Sequence, residues 1–182
     1  MNAARTFVAL LRAVNLAGRN KVSMPELRSS LTSLGLQDVV TYIQSGNVVF
    51  RSPTGDREKI ATRMERQIAE AFGVSPTVLL RTPSELVKIA EGNPFLKGGA
   101  DRSKLHVVFL ADGPAEDAVA RLDSGRSPPD ELRVRGSEIY LHLPNGSGRS
   151  KFTLDYFERR LGVAATARNW NTVLKLLALT ES

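Results

Sequence analysis

The chain repeats its own order of predicted secondary structure, and this internal repeat is the feature that most constrains its fold. Apolar runs and helix-start signals predict strand, helix, two strands, helix and strand in each half of the 182 residues. The copies also match in sequence, since Gly73-Val74-Ser75-Pro76-Thr77 aligns with Gly162-Val163-Ala164-Ala165-Thr166. This order is that of a split βαβ, or ferredoxin-like, unit. We therefore predict an α+β fold of tandem duplicated ferredoxin-like units, each an antiparallel sheet with helices packed on one face.

The residues between the two repeats predict the domain boundaries. The stretch Asn93–Arg102 is rich in Gly and Pro, which is typical of a linker. We predict a first ferredoxin-like unit with an extra helix at residues 1–93, a linker at 94–103, and a second unit with a C-terminal helix at 104–182.

Several helix starts carry capping signals. Ser23 with Glu26, and Thr82 with Glu85, have the spacing of a capping box, in which each residue bonds the backbone of the other. Asp112-Gly113-Pro114 predicts one more helix, continuing through Leu122.

The stretch Thr166–Leu179 departs from the repeat. An ungapped alignment sets Arg168-Asn169 opposite Leu79-Leu80, and it sets Asn171 opposite the helix cap Thr82. Polar residues at strand positions usually serve a task other than packing. The following helix start favours anions, because its first N–H groups lack partners within the helix. We predict that this strand-to-helix junction binds a ligand, with a buried anchor as the alternative role of Trp170.

Three further loops combine basic or amide side chains with glycine. Each also has a plainer interpretation, as a helix lead-in, a hairpin turn or a flexible loop with a helix cap. The Gly146–Lys151 loop could cradle phosphate with backbone N–H groups, although it lacks the ending of a P-loop. The predicted ligand-binding residues are Arg12, Asn15, Gly18, Arg19, Lys21, Gln44, Ser45, Asn47, Arg149, Ser150, Lys151, Arg168, Asn169, Trp170 and Asn171.

Composition excludes several kinds of site. The chain has no Cys, which rules out disulfides, thiol catalysis and Cys-based zinc sites. Its two histidines, His106 and His142, are predicted to be packing residues, so we expect no metal site. A net charge of +6 favours anionic partners. The apolar run Phe7–Leu11 ends at Arg12 and is far shorter than the ~18 residues of a membrane span, which predicts a buried strand in a cytoplasmic protein without a membrane partner.

Four motifs together resemble one known family. They are the Arg12–Lys21 segment, Y-I-Q-S-G-N-V-V-F at Tyr42–Phe50, G-R-S-K-F-T at Gly148–Thr153, and T-A-R-N-W-N-T at Thr166–Thr172. The chain resembles the bacterial family catalogued as domain of unknown function number 1697, over essentially its whole length. Around Asn15 it departs from the commoner R-G-I-N-V-G, while Asn15 and Gly18 are kept. The resemblance implies a duplicated α+β fold; it implies no activity and supplies no catalytic residue.

These observations favour a protein that binds an anionic ligand, either a phosphate-containing compound such as a nucleotide or a nucleic acid, in a cleft between the two units. One alternative is an enzyme that holds a small anionic substrate with Arg149 and Arg168. Another is a structural or protein-partner module in which Arg168 and Trp170 lock the two copies together. Binding is favoured over catalysis, because no Ser-His-Asp arrangement and no distinctive carboxylate stand out. An RNA-recognition module is not indicated, because the aromatic RNP1 pattern is missing. Cofactor and oligomeric state stay open.

Chain direction predicts where the polar loops meet. In the first copy, the loop after the first strand and the hairpin turn share one end of the sheet. In the second copy, the loop after the third strand and the exit of the fourth strand share the other end. If these two ends face each other, one composite cleft holds Arg12, Asn15, Gln44, Asn47, Arg149, Lys151, Arg168 and Asn169.

Overall fold

The computed structural model describes residues 3–15 and 18–182. These residues form two four-stranded antiparallel sheets and six α-helices, so the fold is α+β as predicted. The chain separates into two compact units, Met1–Val87 with Leu176–Ser182, and Lys88–Lys175. Both boundaries between the two units fall within helices. The linker at residues 94–103 that the sequence predicts stays a prediction.

The first unit is built on one sheet with the strand order β2-β3-β1-β4. Its elements are β1 (Arg5–Arg12), α1 (Met24–Ser33), β2 (Gln37–Tyr42), β3 (Asn47–Ser52), α2 (Arg57–Phe72), β4 (Thr77–Arg81) and the first part of α3 (Pro83–Glu91). Alternate residues of β1, such as Phe7 and Leu11, pack in one core with Leu27 of α1 and Met64 of α2. Both helices therefore cover the same face of the sheet.

Local signals explain where these helices begin and end. The Ser23 hydroxyl accepts a hydrogen bond from the Glu26 N–H at 3.5 Å, and the Asp56 carboxylate accepts one from the Lys59 N–H at 3.0 Å. Gly73 ends α2 with φ of 66°, a left-handed conformation that glycine adopts without a steric penalty. The predicted cap at Ser23 is thus confirmed.

The second unit repeats this architecture with the strand order β6-β7-β5-β8. Its elements are the last part of α3, β5 (Leu105–Leu110), α4 (Glu116–Ala120), β6 (Glu131–Arg135), β7 (Glu138–His142), α5 (Leu154–Leu161), β8 (Ala165–Asn169) and the first part of α6 (Trp170–Thr180). Val108 and Leu110 of β5 pack against Phe157 of α5 and Ala118 of α4. This core, too, lies on one face of its sheet.

One predicted helix is much shorter than expected. The sequence predicts a helix from Asp112 to Leu122, whereas α4 has only five residues. Its N-cap is Ala115, which makes no side-chain cap hydrogen bond. A helix this short has few internal hydrogen bonds, so without a cap little extends it beyond the residues that pack against the core.

The two sheets share the same strand register, which corrects the sequence alignment. Leu11 pairs with Val78 and Val8 with Arg81. Leu110 pairs with Ala165 and Val107 with Arg168, at the same spacing. Arg168 therefore corresponds to Arg81, and Asn169 to Thr82. The ungapped alignment of Arg168-Asn169 with Leu79-Leu80 is wrong by two residues.

Candidate functional site

The first strand-to-helix junction, Arg81–Glu85, carries its own anion. The Thr82 hydroxyl caps α3 by accepting a hydrogen bond from the Glu85 N–H at 3.3 Å. In return, the Glu85 carboxylate accepts one from the Thr82 N–H at 2.7 Å and pairs with Arg57. Burial raises the pKa of Glu85, but the bonds from Arg57 and Thr82 outweigh it and hold the pKa below its usual value. A carboxylate thus sits at the positive end of α3.

The second junction, Arg168–Thr172, has the same cap but no such carboxylate. The Asn169 side chain accepts a hydrogen bond from the Thr172 N–H at 2.8 Å, so Asn169 caps α6. The cap predicted at Asn171 is therefore wrong. Thr172 takes the position that Glu85 has in the first junction, and threonine supplies no negative charge.

A pocket of about 220 Å³ opens beside the start of α6, and we call it the α6 pocket. It is lined by Arg102, Ser103, Lys104, His106, Gly146, Ser147, Asn169, Trp170 and Asn171. Strand pairing brings these residues together, because His106 at the start of β5 is opposite Asn169 at the end of β8. The Leu143 N–H donates to the Lys104 carbonyl at 2.8 Å, which holds the loop after β7 against the same strand.

The charge of the α6 pocket is positive. Arg102 and Lys104 line it, and no Asp or Glu is among its lining residues. The nearby Asp101 lies outside the lining and caps a short 3₁₀ turn, where its carboxylate accepts hydrogen bonds from the Ser103 hydroxyl and N–H at 2.8 and 2.9 Å. These bonds lower the pKa of Asp101. The pocket therefore combines two cations with hydroxyl and amide groups at a helix start.

His106 was predicted to be a packing residue, but it lines the α6 pocket. By strand register it corresponds to Phe7, which is a core residue of the first unit. Within the described parts of the chain, its Nδ1 atom is sealed from solvent and has no hydrogen-bond partner. Burial lowers the pKa of His106, against a smaller opposing effect of the Lys104 backbone. Burial therefore favours the neutral form of the ring.

Two buried arginines occupy corresponding positions in the two units. Arg81 is 6% exposed and Arg168 is 7% exposed, both on the sheet face opposite the helices. Arg81 Nη1 donates to the Leu80 carbonyl at 2.9 Å. Arg168 Nη1 donates to the Ala167 carbonyl and the Thr166 hydroxyl, both at 2.7 Å. Burial lowers the pKa of Arg168 to about 10, so it stays charged at neutral pH.

Comparison with known proteins places the chain in a family. The model of the family described as "Protein of unknown function (DUF1697)" matches residues 4–140. The chain belongs to this family. The resemblance seen in the sequence is thus confirmed for that range, which includes Arg102, Lys104 and His106 and ends before β8.

A solved structure extends the likeness to the whole fold. It is the structure of the conserved bacterial protein SP0830 from Streptococcus pneumoniae, with a TM-score of 0.76 and 24% identity. The match covers 99% of this chain and 100% of that chain. At this identity the likeness shows a shared fold. No curated protein matches the chain.

In the first unit of this chain, the loop after β1 and the hairpin turn between β2 and β3 do contact each other, as predicted. The Asn15 amide donates to the Gln44 carbonyl at 2.6 Å and to the Val22 carbonyl at 3.2 Å, and its oxygen accepts from the Val22 N–H at 2.8 Å. Asn47 is fully buried, and its amide donates to the Tyr42 carbonyl at 3.1 Å and the Ser45 hydroxyl at 3.0 Å. These amide groups therefore hold the loop and the hairpin turn in shape.

Glycine is required where the hairpin turn approaches β1. Gly46 has φ of +75°, and a Cβ there would lie 2.5 Å from Val14 Cγ2 and 2.8 Å from Leu11 Cβ. Its carbonyl accepts a hydrogen bond from the Leu11 N–H at 2.8 Å. The predicted adjacency of the first loop and the hairpin is thereby confirmed within the first unit.

The remaining predicted site residues lie at the surface or serve their loops. Gly18, Arg19 and Lys21 are exposed and Arg12 is half-buried, whereas Leu16 and Ala17 lie outside the described residues. In the second unit, Arg149 is exposed, and the Lys151 N–H donates to the buried Ser127 hydroxyl at 2.9 Å. The Ser150 hydroxyl accepts from the Phe152 N–H at 3.1 Å. Trp170 is 1% exposed, in keeping with its alternative role as an anchor.

The prediction of one composite cleft joins residues of both units and stays a prediction. Within residues 3–15 and 18–182, no helix is long and apolar enough to cross a membrane. Among those same residues, no three acidic or histidine side chains are grouped so that they could hold a metal ion.

Proposed function

We propose that this protein binds a small phosphate-containing anion in the α6 pocket. The phosphate would lie beside the Lys104 ammonium group, the Arg102 guanidinium group and the first turn of α6. Helix starts are common phosphate sites, because their backbone N–H groups and the helix dipole both favour negative charge. This proposal keeps the anionic ligand expected from the sequence and assigns it to the second unit.

The observation that carries the proposal is the contrast between the two junctions. In the first junction the start of α3 is neutralised internally, since Glu85 lies against Thr82 and pairs with Arg57. In the second junction the corresponding residue is Thr172, and a pocket lined by two cations lies in front of the helix. An external anion at this pocket would restore the arrangement that the first unit achieves with its own carboxylate.

The size of the pocket supports a small ligand over a nucleic acid. Its volume of about 220 Å³ lies below the range of roughly 300–1,000 Å³ that is usual for drug-sized ligands. A single-stranded nucleic acid instead needs a groove that follows its backbone and aromatic surfaces on which bases stack. Trp170, the aromatic residue of the lining, is almost fully buried. We therefore favour a compact phosphate compound.

The sharpest test is Asn171→Asp, which adds one negative charge at the pocket with almost no change of shape. A carboxylate about 5 Å from a doubly charged phosphate costs at least roughly 1.5 kcal/mol even at the dielectric constant of water. Binding of inorganic phosphate, measured by titration calorimetry at low salt, should therefore weaken about tenfold or more. Stability should hold or rise slightly, since an acidic residue in the first turn of a helix is favourable.

Ser84→Asp is the matched control, because Ser84 occupies in α3 the exposed position that Asn171 occupies in α6. Phosphate affinity should stay within about twofold of the parent protein in this variant. The proposal is wrong if the parent protein binds no phosphate at low salt, where such contacts are strongest. Equal weakening by both variants would also contradict it, because it would show only a response to total charge.

We further infer that the two units are duplicated ferredoxin-like units. The order of elements, the matching strand orders and the shared register of Val8–Arg81 and Val107–Arg168 support this assignment. If the units are duplicated, residues of the α6 pocket can be compared with their counterparts in the first unit, such as His106 with Phe7 and Asn169 with Thr82.

A further inference from the structure

The α6 pocket also has a lining residue that the anion does not explain. His106 stands where the first unit has Phe7, a core aromatic stacked on Phe50 with ring centroids 5.9 Å apart. A phenylalanine would pack well at this strand position, as the first unit demonstrates. Replacing it by histidine adds two ring nitrogens that each call for a hydrogen-bond partner.

Two observations distinguish the nitrogens of the ring. Nδ1 is sealed from solvent without a partner among the described residues, whereas His106 as a residue lines the pocket. Of the two ring nitrogens, Nε2 is the one not sealed in this way, and it is assigned to the ligand below. A neutral imidazole ring can pair with a hydroxyl group in either tautomer, because a hydroxyl both donates and accepts.

The pocket is larger than one phosphate ion requires. Its 220 Å³ corresponds to the liquid volume of about seven water molecules, at roughly 30 Å³ each. A phosphate beside Lys104 and the start of α6 therefore leaves part of this volume unfilled. The hydroxyl groups of Ser103 and Ser147 also line the pocket and add polar partners there.

Building on the proposed function, we infer that the ligand is a small phosphate monoester that carries a hydroxyl group close to its phosphate. The phosphate lies on the side of Lys104 and α6, and the ligand hydroxyl bonds His106 Nε2. Small polyol phosphates have this chemistry. Histidine in place of phenylalanine then distinguishes such compounds from bare phosphate and from alkyl phosphates.

The test compares three probes by titration calorimetry: inorganic phosphate, propyl phosphate and glycerol 3-phosphate. Propyl phosphate has the same carbon chain as glycerol 3-phosphate without its free hydroxyls. The parent protein should bind glycerol 3-phosphate about tenfold more tightly than propyl phosphate, the effect of roughly one buried hydrogen bond. His106→Phe, which copies the first unit, should abolish this difference between the two esters.

Thermal unfolding followed by circular dichroism checks that His106→Phe is folded. If it is not, His106→Asn takes its place, because its shorter side chain also loses the contact with the ligand hydroxyl. Equal binding of the two esters by the parent protein overturns the inference, as does a variant that weakens all three probes alike. Failure of every probe, inorganic phosphate included, instead refutes the proposed function itself.

Discussion

The first and second strand-to-helix junctions begin alike and end differently. Each has a buried arginine, Arg81 or Arg168, in the last strand of its unit. In each, the next residue, Thr82 or Asn169, caps the following helix. Three positions after the cap, the first junction has Glu85, bound to the N–H of the cap and to Arg57. The second has Thr172, with a pocket in front of the helix.

Comparing the two junctions distinguishes residues that the shared fold requires from residues that one junction has for another purpose. A feature present in both junctions, such as the buried arginine, is explained by the architecture they share. A feature present in one alone calls for another reason, and here those features are the missing carboxylate and the histidine in place of Phe7.

The largest expected effect is the loss of stability on Trp170→Ala. Truncating a fully buried tryptophan typically costs about 3–5 kcal/mol, and Trp170 is 1% exposed. Its counterpart Pro83 begins α3 and is only half-buried, so Pro83→Ala should change stability by less than about 1 kcal/mol. Urea unfolding of both variants measures the difference. Equal losses would show that the two helix starts are anchored alike.

The next largest expected effect is the loss of stability on replacing the buried arginines, which occupy corresponding positions in the two units. Arg81→Met and Arg168→Met should each destabilise the protein by about 1–3 kcal/mol, since each leaves a buried acceptor without its donor. Phosphate affinity should change by less than about twofold in either variant, because neither arginine lines the α6 pocket. If Arg168→Met stays folded yet no longer binds phosphate, Arg168 is a ligand-binding residue, as the sequence analysis predicts.

The misalignment of the arginines shows what strand patterns cannot resolve. By strand register, Val78 corresponds to Ala165. Val78 lies five positions after the helix-ending Gly73, whereas Ala165 lies only three after Gly162, so an alignment anchored on the two glycines slips by two positions. Side chains alternate between the faces of a strand with a period of two. A slip of two residues therefore keeps every apolar residue on its expected face, and only the pairing with β1 and β5 exposes the error.

The sequence singled out only those residues of the α6 pocket that lie close together in the chain. Asn169, Trp170 and Asn171 stand out in the sequence because they are consecutive at a helix start, and all three line the pocket. Lys104 and His106 are some 60 residues away in the chain and reach the pocket through the pairing of β5 with β8. The predicted ferredoxin-like unit already places these strands side by side, so Lys104 and His106 could have been found by following the start of β5.

The smallest effect, Glu85→Gln, tests the carboxylate that distinguishes the two junctions. The pKa of Glu85 is below its ordinary value, so the folded protein binds that proton less readily than the unfolded chain. Its contribution to stability is therefore present above the ordinary pKa of glutamate and is lost as pH falls through the lower folded value.

Because the Glu85 side chain is 36% exposed, we expect Glu85→Gln to lower the free energy of unfolding by only about 0.2–1 kcal/mol at neutral pH. Urea unfolding at pH 7 and at pH 3 should show that Glu85→Gln differs from the parent protein more at pH 7 than at pH 3. Glu58→Gln, an exposed change in the first turn of α2, is the control for the loss of one charge. If Glu85→Gln behaves like this control at both pH values, Glu85 does not neutralise the start of α3, and the contrast with the second junction loses its energetic basis.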